Sequence, residues 1–138
     1  MIAVHIPGVP RGKGRPKFYR RQDGGVGTYT PETTVSYENL VRFATQEAMR
    51  GAGPLDGPVA LEMFFFLPIP KSAGKKVRAD MGAGKVHPAK KPDLDNITKA
   101  VLDGMNGVAF HDDAQVVQIT ALKAYSDRPG AHVVVIPI

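Results

Sequence analysis

The sequence predicts an α+β (mixed α/β) domain, a small mixed sheet of about four strands with two main helices in the order β-α-β-α-β-β. Three observations lead there. Val59 to Leu67 (VALEMFFFL) is a short run of strand formers closed by Pro68 and Pro70. Thr33 to Arg50 and Asn96 to Asn106 carry apolar residues at helical spacing and are followed by Gly51 and Gly107. Near the end, Gln115 to Tyr125 and His132 to Ile136 are two strand-like stretches around the turn signal Ser126 to Gly130 (SDRPG).

The remaining elements follow in order. Ile2 to Ile6 alternates in character and stops at Pro7, Gly8 and Pro10, so it is expected as a first strand. In the first helix Val35, Leu40, Val41, Phe43, Ala44 and Ala48 are expected to form the inner stripe. In the second, Leu94, Ile97, Val101 and Met105 share one side of a helical wheel and would face the sheet. Phe64 to Phe66 lie in a strand, where residues alternate faces, so core packing is expected of them rather than base stacking. Segments 8–31 and 68–92 show no periodicity and are expected as long loops. The 138 residues suit one domain, residues 1–138, with a real core.

Composition excludes several classes. No run approaches the roughly 18 apolar residues of a membrane span, and no basic-then-apolar leader opens the chain. The chain has no cysteine, which excludes disulfides and thiolate metal sites and fits a reducing cytoplasm. The stretch GVPRGKG resembles a phosphate-binding loop but is one residue short before Gly12-Lys13, with Gly14 where Ser or Thr would hold magnesium. No nucleotide cofactor is expected.

The formal net charge of +5 is unevenly distributed. Residues 11–21 and 71–91 together carry 13 of the 18 Lys and Arg, with Asp80 as their one acid. Cations presented on glycine- and proline-punctuated segments suit a polyanion held through its phosphates.

Against that background, five aspartates crowd into KPDLDNITKAVLDGMNGVAFHDDAQV: Asp93, Asp95, Asp103, Asp112 and Asp113. Like charges so close require compensation by a helix end, a base or a cation. Pro92 keeps the chain before the helix extended, so the helix is expected to begin at about Asp95 or Asn96. An extended DLD then directs Asp93 and Asp95 to the same side. One cap needs one acid, and Lys99 can pair with Asp95 at i, i+4. If the strand after Asp112 and Asp113 lies beside the helix start, three carboxylates converge into the hard-oxygen environment of Mg²⁺ or Mn²⁺. Capping and metal binding both remain open on spacing alone. His111, a lone histidine in a loop, is expected to be neither ligand nor base.

Together, in order, DLDNITKAVLDGMNG, HDDAQVV, GVPRGKGRPKFYRR and TYTPETTVSYENLV resemble the RusA family of Holliday junction resolvases, in a branch common in phages and prophages. The resemblance spans nearly the whole chain. It implies a RusA-like fold and a homodimeric, Mg²⁺-dependent endodeoxyribonuclease, with Mn²⁺ able to substitute, that nicks four-way DNA junctions symmetrically in DNA recombination and repair. Its location would be the cytoplasm of a bacterium or a phage-infected host. Position by position it implies Asp93, Asp95 and Asp113 as metal ligands and Lys99 as the catalytic lysine, and leaves Asp103 and Asp112 as bystanders. A glycine-rich basic loop stands where the founding type of the family has Pro-Pro-Ser and Asn. The cations expected on branched DNA are Lys13, Arg15, Lys17, Lys85, Lys90 and Lys91. A non-catalytic DNA-binding module and a metal-dependent nuclease or phosphatase acting on linear or small substrates are the competing readings.

Overall fold

The computed structural model describes residues 1–14 and 17–138. Its elements are β1 (Ile2–Pro7), β2 (Lys17–Arg20), β3 (Val26–Tyr29), α1 (Glu32–Met49), β4 (Val59–Pro68), α2 (Lys75–Gly82), α3 (Leu94–Met105), a 3₁₀ turn (Asp113–Gln115), β5 (Val116–Ser126) and β6 (Gly130–Pro137). The expected β-α-β-α-β-β order is present, with a small hairpin and a short helix added inside the two basic segments.

The main sheet has the order β1-β6-β4-β5. β6 is antiparallel to both β1 and β4, whereas β4 and β5 are parallel. A parallel neighbour cannot be reached by a tight turn, so the chain between β4 and β5 must cross over, and α3 lies in that crossing. The path from β1 through α1 to β4 steps across the sheet in the same direction. Crossovers of one hand and one direction put their helices on one face. α1 and α3 indeed pack against each other there.

The core lies under these helices. Val59, Leu61, Met63 and Phe65 of β4 and Ala131, Val133 and Val135 of β6 alternate into it, meeting Tyr37 and Val41 of α1 and Ile97, Val101 and Met105 of α3. The α3 stripe is therefore as expected, with Leu94 half-buried at its start. In α1 the buried row is Thr34, Tyr37, Val41, Thr45 and Met49, while Val35 and Phe43 are exposed. Two threonines enter the core because their hydroxyls are satisfied locally: Thr45 Oγ1 donates to the Val41 carbonyl at 2.7 Å, and Thr34 Oγ1 accepts the Gly14 N–H at 2.8 Å. Of Phe64, Phe65 and Phe66 only Phe65 is in this core; Phe64 and Phe66 are half-buried on the opposite face of the sheet.

Gly104 sets the closeness of the helices. A Cβ there would stand 2.7 Å from the Val41 side chain and 2.9 Å from the Glu38 carbonyl oxygen. Its absence lets α3 settle onto α1 and brings the neighbouring Asp103 close to Glu38.

Both long loops need correcting. Within 8–31, β2 and β3 pair from Lys17↔Tyr29 to Arg20↔Val26, turning at Gly24 with φ +85°. Asp23-Gly24 is the hairpin signal that marks the turn; the strands escaped pattern reading because they bury almost nothing. Within 68–92, α2 buries no residue, so it carries no apolar stripe to detect.

Candidate active site

α3 begins at Leu94, one or two residues earlier than expected. Asp93 is its N-cap residue and is extended, at φ −66° and ψ 142°, so it stands outside the helix, but Leu94 and Asp95 are already helical, so the DLD segment is not extended throughout as expected. Asp95 lies in the first turn, where a carboxylate suits the positive helix end, and its Oδ1 accepts the Asn96 N–H at 2.8 Å. Asp93 Oδ2 accepts from Lys91 Nζ at 3.0 Å. Asp95 and Lys99 lie along an open groove of about 580 Å³ between α3 and β5, floored by Leu94, Leu102, Ile119 and Ala121.

Asp113 arrives from the other side, in the 3₁₀ turn that leads into β5. Its N–H donates to Asn106 Oδ1 at 3.0 Å, tying it to the end of α3. Gln115 organises the same turn. Its Oε1 accepts the N–H groups of His111 and Asp112, and its Nε2 donates to the carbonyls of Leu55 and Gly57. Asp112 closes a capping box with Gln115. His111 Nε2 lies 2.8 Å from Asp56 Oδ1.

Lys99 bridges the two halves. Its ammonium lies 3.1 Å from Asp103 Oδ1 and 3.7 Å from Asp113 Oδ2, so its partners among the described residues are these two rather than Asp95. Asp103, a bystander by resemblance, is the hub of an ion-pair chain, because its Oδ2 also accepts from Lys13 Nζ at 2.6 Å, and Lys13 donates to Glu38 Oε1 at 2.8 Å. Pairing with Asp103 raises the pKa of Lys99. Burial opposes the charge on Asp103 and on Lys13. Their mutual hydrogen bond and their other partners outweigh it, leaving the carboxyl below its ordinary range and the ammonium above its own.

The structure thus brings Lys99, Asp103 and Asp113 together, and sets Asp93 and Asp95 at the start of the same helix. Among the described residues no three Asp, Glu or His side chains gather closely enough to hold one ion. The carboxylates stand paired with ammonium groups or backbone N–H instead.

Of the cations expected on DNA, Lys13 is turned inward, into the ion-pair chain. Its backbone N–H also donates to the Asn96 carbonyl at 3.0 Å, fastening the first basic segment to α3. Arg15 lies outside the described residues. Lys17 is exposed on the hairpin beside Phe18 and Arg20, and Phe18 is 75% exposed. Lys85, Lys90 and Lys91 are exposed after α2.

Besides Glu38 and Gln115, two contributors were missed in the sequence. Lys123 Nζ donates to the carbonyls of Lys90 and Pro92, which holds the chain leading to Asp93 against β5. Its signal is a lone charge in the otherwise uncharged strand VVQITALKAYS. Asn106 is the other, and its position at the end of the helix was the available cue.

The family model of the endodeoxyribonuclease RusA matches residues 7–136. The chain belongs to the RusA family. It is also 32% identical over 136 residues to the uncharacterized protein YqaN of Bacillus subtilis (strain 168), an alignment covering 97% of this chain and 94% of that protein. Membership in RusA makes the protein a nuclease acting on DNA, and the match takes in both basic segments and all five clustered aspartates. Among the described residues no helix is long and apolar enough to cross a membrane.

Proposed function

We propose that this RusA-family chain is a Mg²⁺-dependent endonuclease that resolves four-way DNA junctions by paired nicks, acting as a homodimer in DNA recombination and repair. The observation that carries the chemistry is Lys99 held beside Asp113 at the mouth of the groove that also contains Asp95. An all-carboxylate donor set at the edge of a basic protein fits a hard divalent ion. Asp93, Asp95 and Asp113 would hold it only after drawing closer together than they stand in this structure, where Lys91 and Lys99 occupy the compensating positions on Asp93 and Asp113. When bound, the ion supplies Lewis acidity for water activation and for charge on the phosphate.

The chain's own residues divide the remaining work. Lys99, fully protonated at neutral pH, places a positive charge against the phosphate and can deliver a proton to the departing 3′ oxygen. Lys17, Lys85, Lys90 and Lys91 hold the backbone of the junction arms. A two-fold symmetric junction cut at two related phosphates is matched by an isologous two-fold protein.

The test is a synthetic four-way junction incubated with the protein and Mg²⁺, beside a linear duplex of the same sequence. Symmetric nicks in the junction, lost in Asp95→Asn, are expected. Equal cutting of the linear duplex would assign the chain to general DNA hydrolysis, and binding without nicks in Mg²⁺ or in Mn²⁺ would make it a non-catalytic module.

A further inference from the structure

We infer that Asp103 is a positioning residue that fixes the ammonium of Lys99, and that Lys13 braces Asp103 for this task; the inference rests on the proposed role of Lys99. The Lys99 side chain is half exposed, on a long flexible stem that water alone would leave in many rotamers. Its position is set by the Asp103 carboxylate one helical turn away at 3.1 Å, while Asp113 lies further, at 3.7 Å. With Asp103 removed, the ammonium is free to close onto Asp113 and neutralise the carboxylate that the reaction requires. Asp103 therefore does two things: it orients the lysine, and it keeps the lysine off Asp113.

The carboxylate is itself clamped. Its two oxygens are divided, Oδ1 to Lys99 and Oδ2 to Lys13, so it cannot rotate to give both to one partner. Lys13 is held in turn by Glu38 of α1 and through its backbone N–H by Asn96 of α3. The close helix approach at Gly104 is what places Glu38 and Asp103 on either side of one ammonium. Charge alternates along Glu38, Lys13, Asp103, Lys99 and Asp113, so each group has an opposite neighbour on the path from α1 to the groove. One lysine of the first basic segment is thereby committed to the site's geometry.

Single-turnover cleavage of a four-way junction at saturating protein tests this, with junction affinity measured separately in the absence of divalent metal. Asp103→Asn is expected to slow cleavage about 10- to 100-fold, as loss of an outer-sphere partner commonly does, with affinity within about twofold of wild type. In Lys99→Ala, adding Asp103→Asn is expected to slow the reaction no further, since a positioning residue has nothing left to position. Wild-type rates in Asp103→Asn, or a full multiplicative loss on top of Lys99→Ala, would overturn the inference. If Asp103→Asn fails to fold, Asp103→Glu keeps the charge while displacing the lysine, and should fold yet cleave slowly; cleavage at the wild-type rate would count against it. Should the wild type cut no DNA, the proposed function fails, and the lysine ammonium NMR signal still decides the geometry. A sharp Lys99 signal that disappears in Asp103→Asn supports positioning, and one that persists refutes it.

Discussion

The Gln115 side chain donates through Nε2 to the Leu55 carbonyl oxygen at 2.9 Å, across sixty residues of sequence. The same amide donates to Gly57 and accepts two N–H groups from the HDD turn, so one uncharged side chain fastens Asp113 to the body of the fold. Replacing it by alanine removes all four of these hydrogen bonds, including the part-buried one to the Leu55 carbonyl. Gln115→Ala is expected to cost about 1–3 kcal/mol of stability and to reduce cleavage by more than the stability loss explains, because Asp113 moves. Denaturant unfolding and single-turnover cleavage on the same preparation check both.

The α1–α3 contact makes a second expectation. Alanine is ordinarily better than glycine inside a helix by about 1 kcal/mol. At Gly104 the added methyl meets the Val41 side chain and the Glu38 carbonyl at under 3 Å. Overpacking costs about 1–3 kcal/mol, so Gly104→Ala is expected to destabilise despite its helix propensity. A raised midpoint in chemical denaturation would show that the helices can part at no cost.

Acid should loosen the site before it unfolds the core. The folded-state pKa of Asp103 is lowered, so its contribution to stability is present above the ordinary carboxylate pKa of about 4 and is lost as pH falls through the lower folded value. The part of the stability–pH profile below about pH 4 should therefore flatten in Asp103→Asn. Thermal melts between pH 2 and about pH 6 measure it, and parallel profiles for the two proteins would contradict it.

Lys17 and Arg20 stand on an exposed hairpin with no core of its own. Their role is expected to be electrostatic, so alanine at each should weaken DNA binding evenly across sequences and reduce the slope of log affinity against log salt by about one per lost phosphate contact. Lys13→Ala should differ in kind, lowering stability because it leaves Glu38 without its lysine and Asp103 with Lys99 alone. Salt titrations of binding separate the two behaviours.

In the proposed mechanism, removal of one metal-binding carboxylate deletes repulsion of the phosphate along with metal affinity. Asp113→Asn is expected to abolish cleavage while holding DNA as tightly as wild type or more so, and chelation of divalent metal should stop cleavage by the wild type and lower its melting temperature slightly, since an ion held only by the folded state stabilises it. Equal losses of binding and cleavage would mean that the acid serves the fold rather than the reaction.

Much of this protein is legible from its chain alone because local chemistry suffices. Strand formers stopped by prolines mark β4, a stripe of four apolar residues marks α3, and Pro92 before DLD keeps Asp93 out of the helix. These signals depend on residues within a turn or two of one another. The hairpin strands and α2 left no apolar period to read, since an element that buries almost nothing needs none, although Asp23-Gly24 marked the hairpin's turn. What only the tertiary structure decided is the partnership of distant charges. Lys13 and Asp103 are ninety residues apart, and both carry ordinary surface side chains in the sequence. They meet because Gly104 lets α3 lie against α1, a contact set by excluded volume rather than by any local preference. The resemblance carried by the sequence named Asp93, Asp95, Asp113 and Lys99 as the expected site, and the folded chain decided that Lys99 pairs with Asp103 and Asp113 and what holds it there.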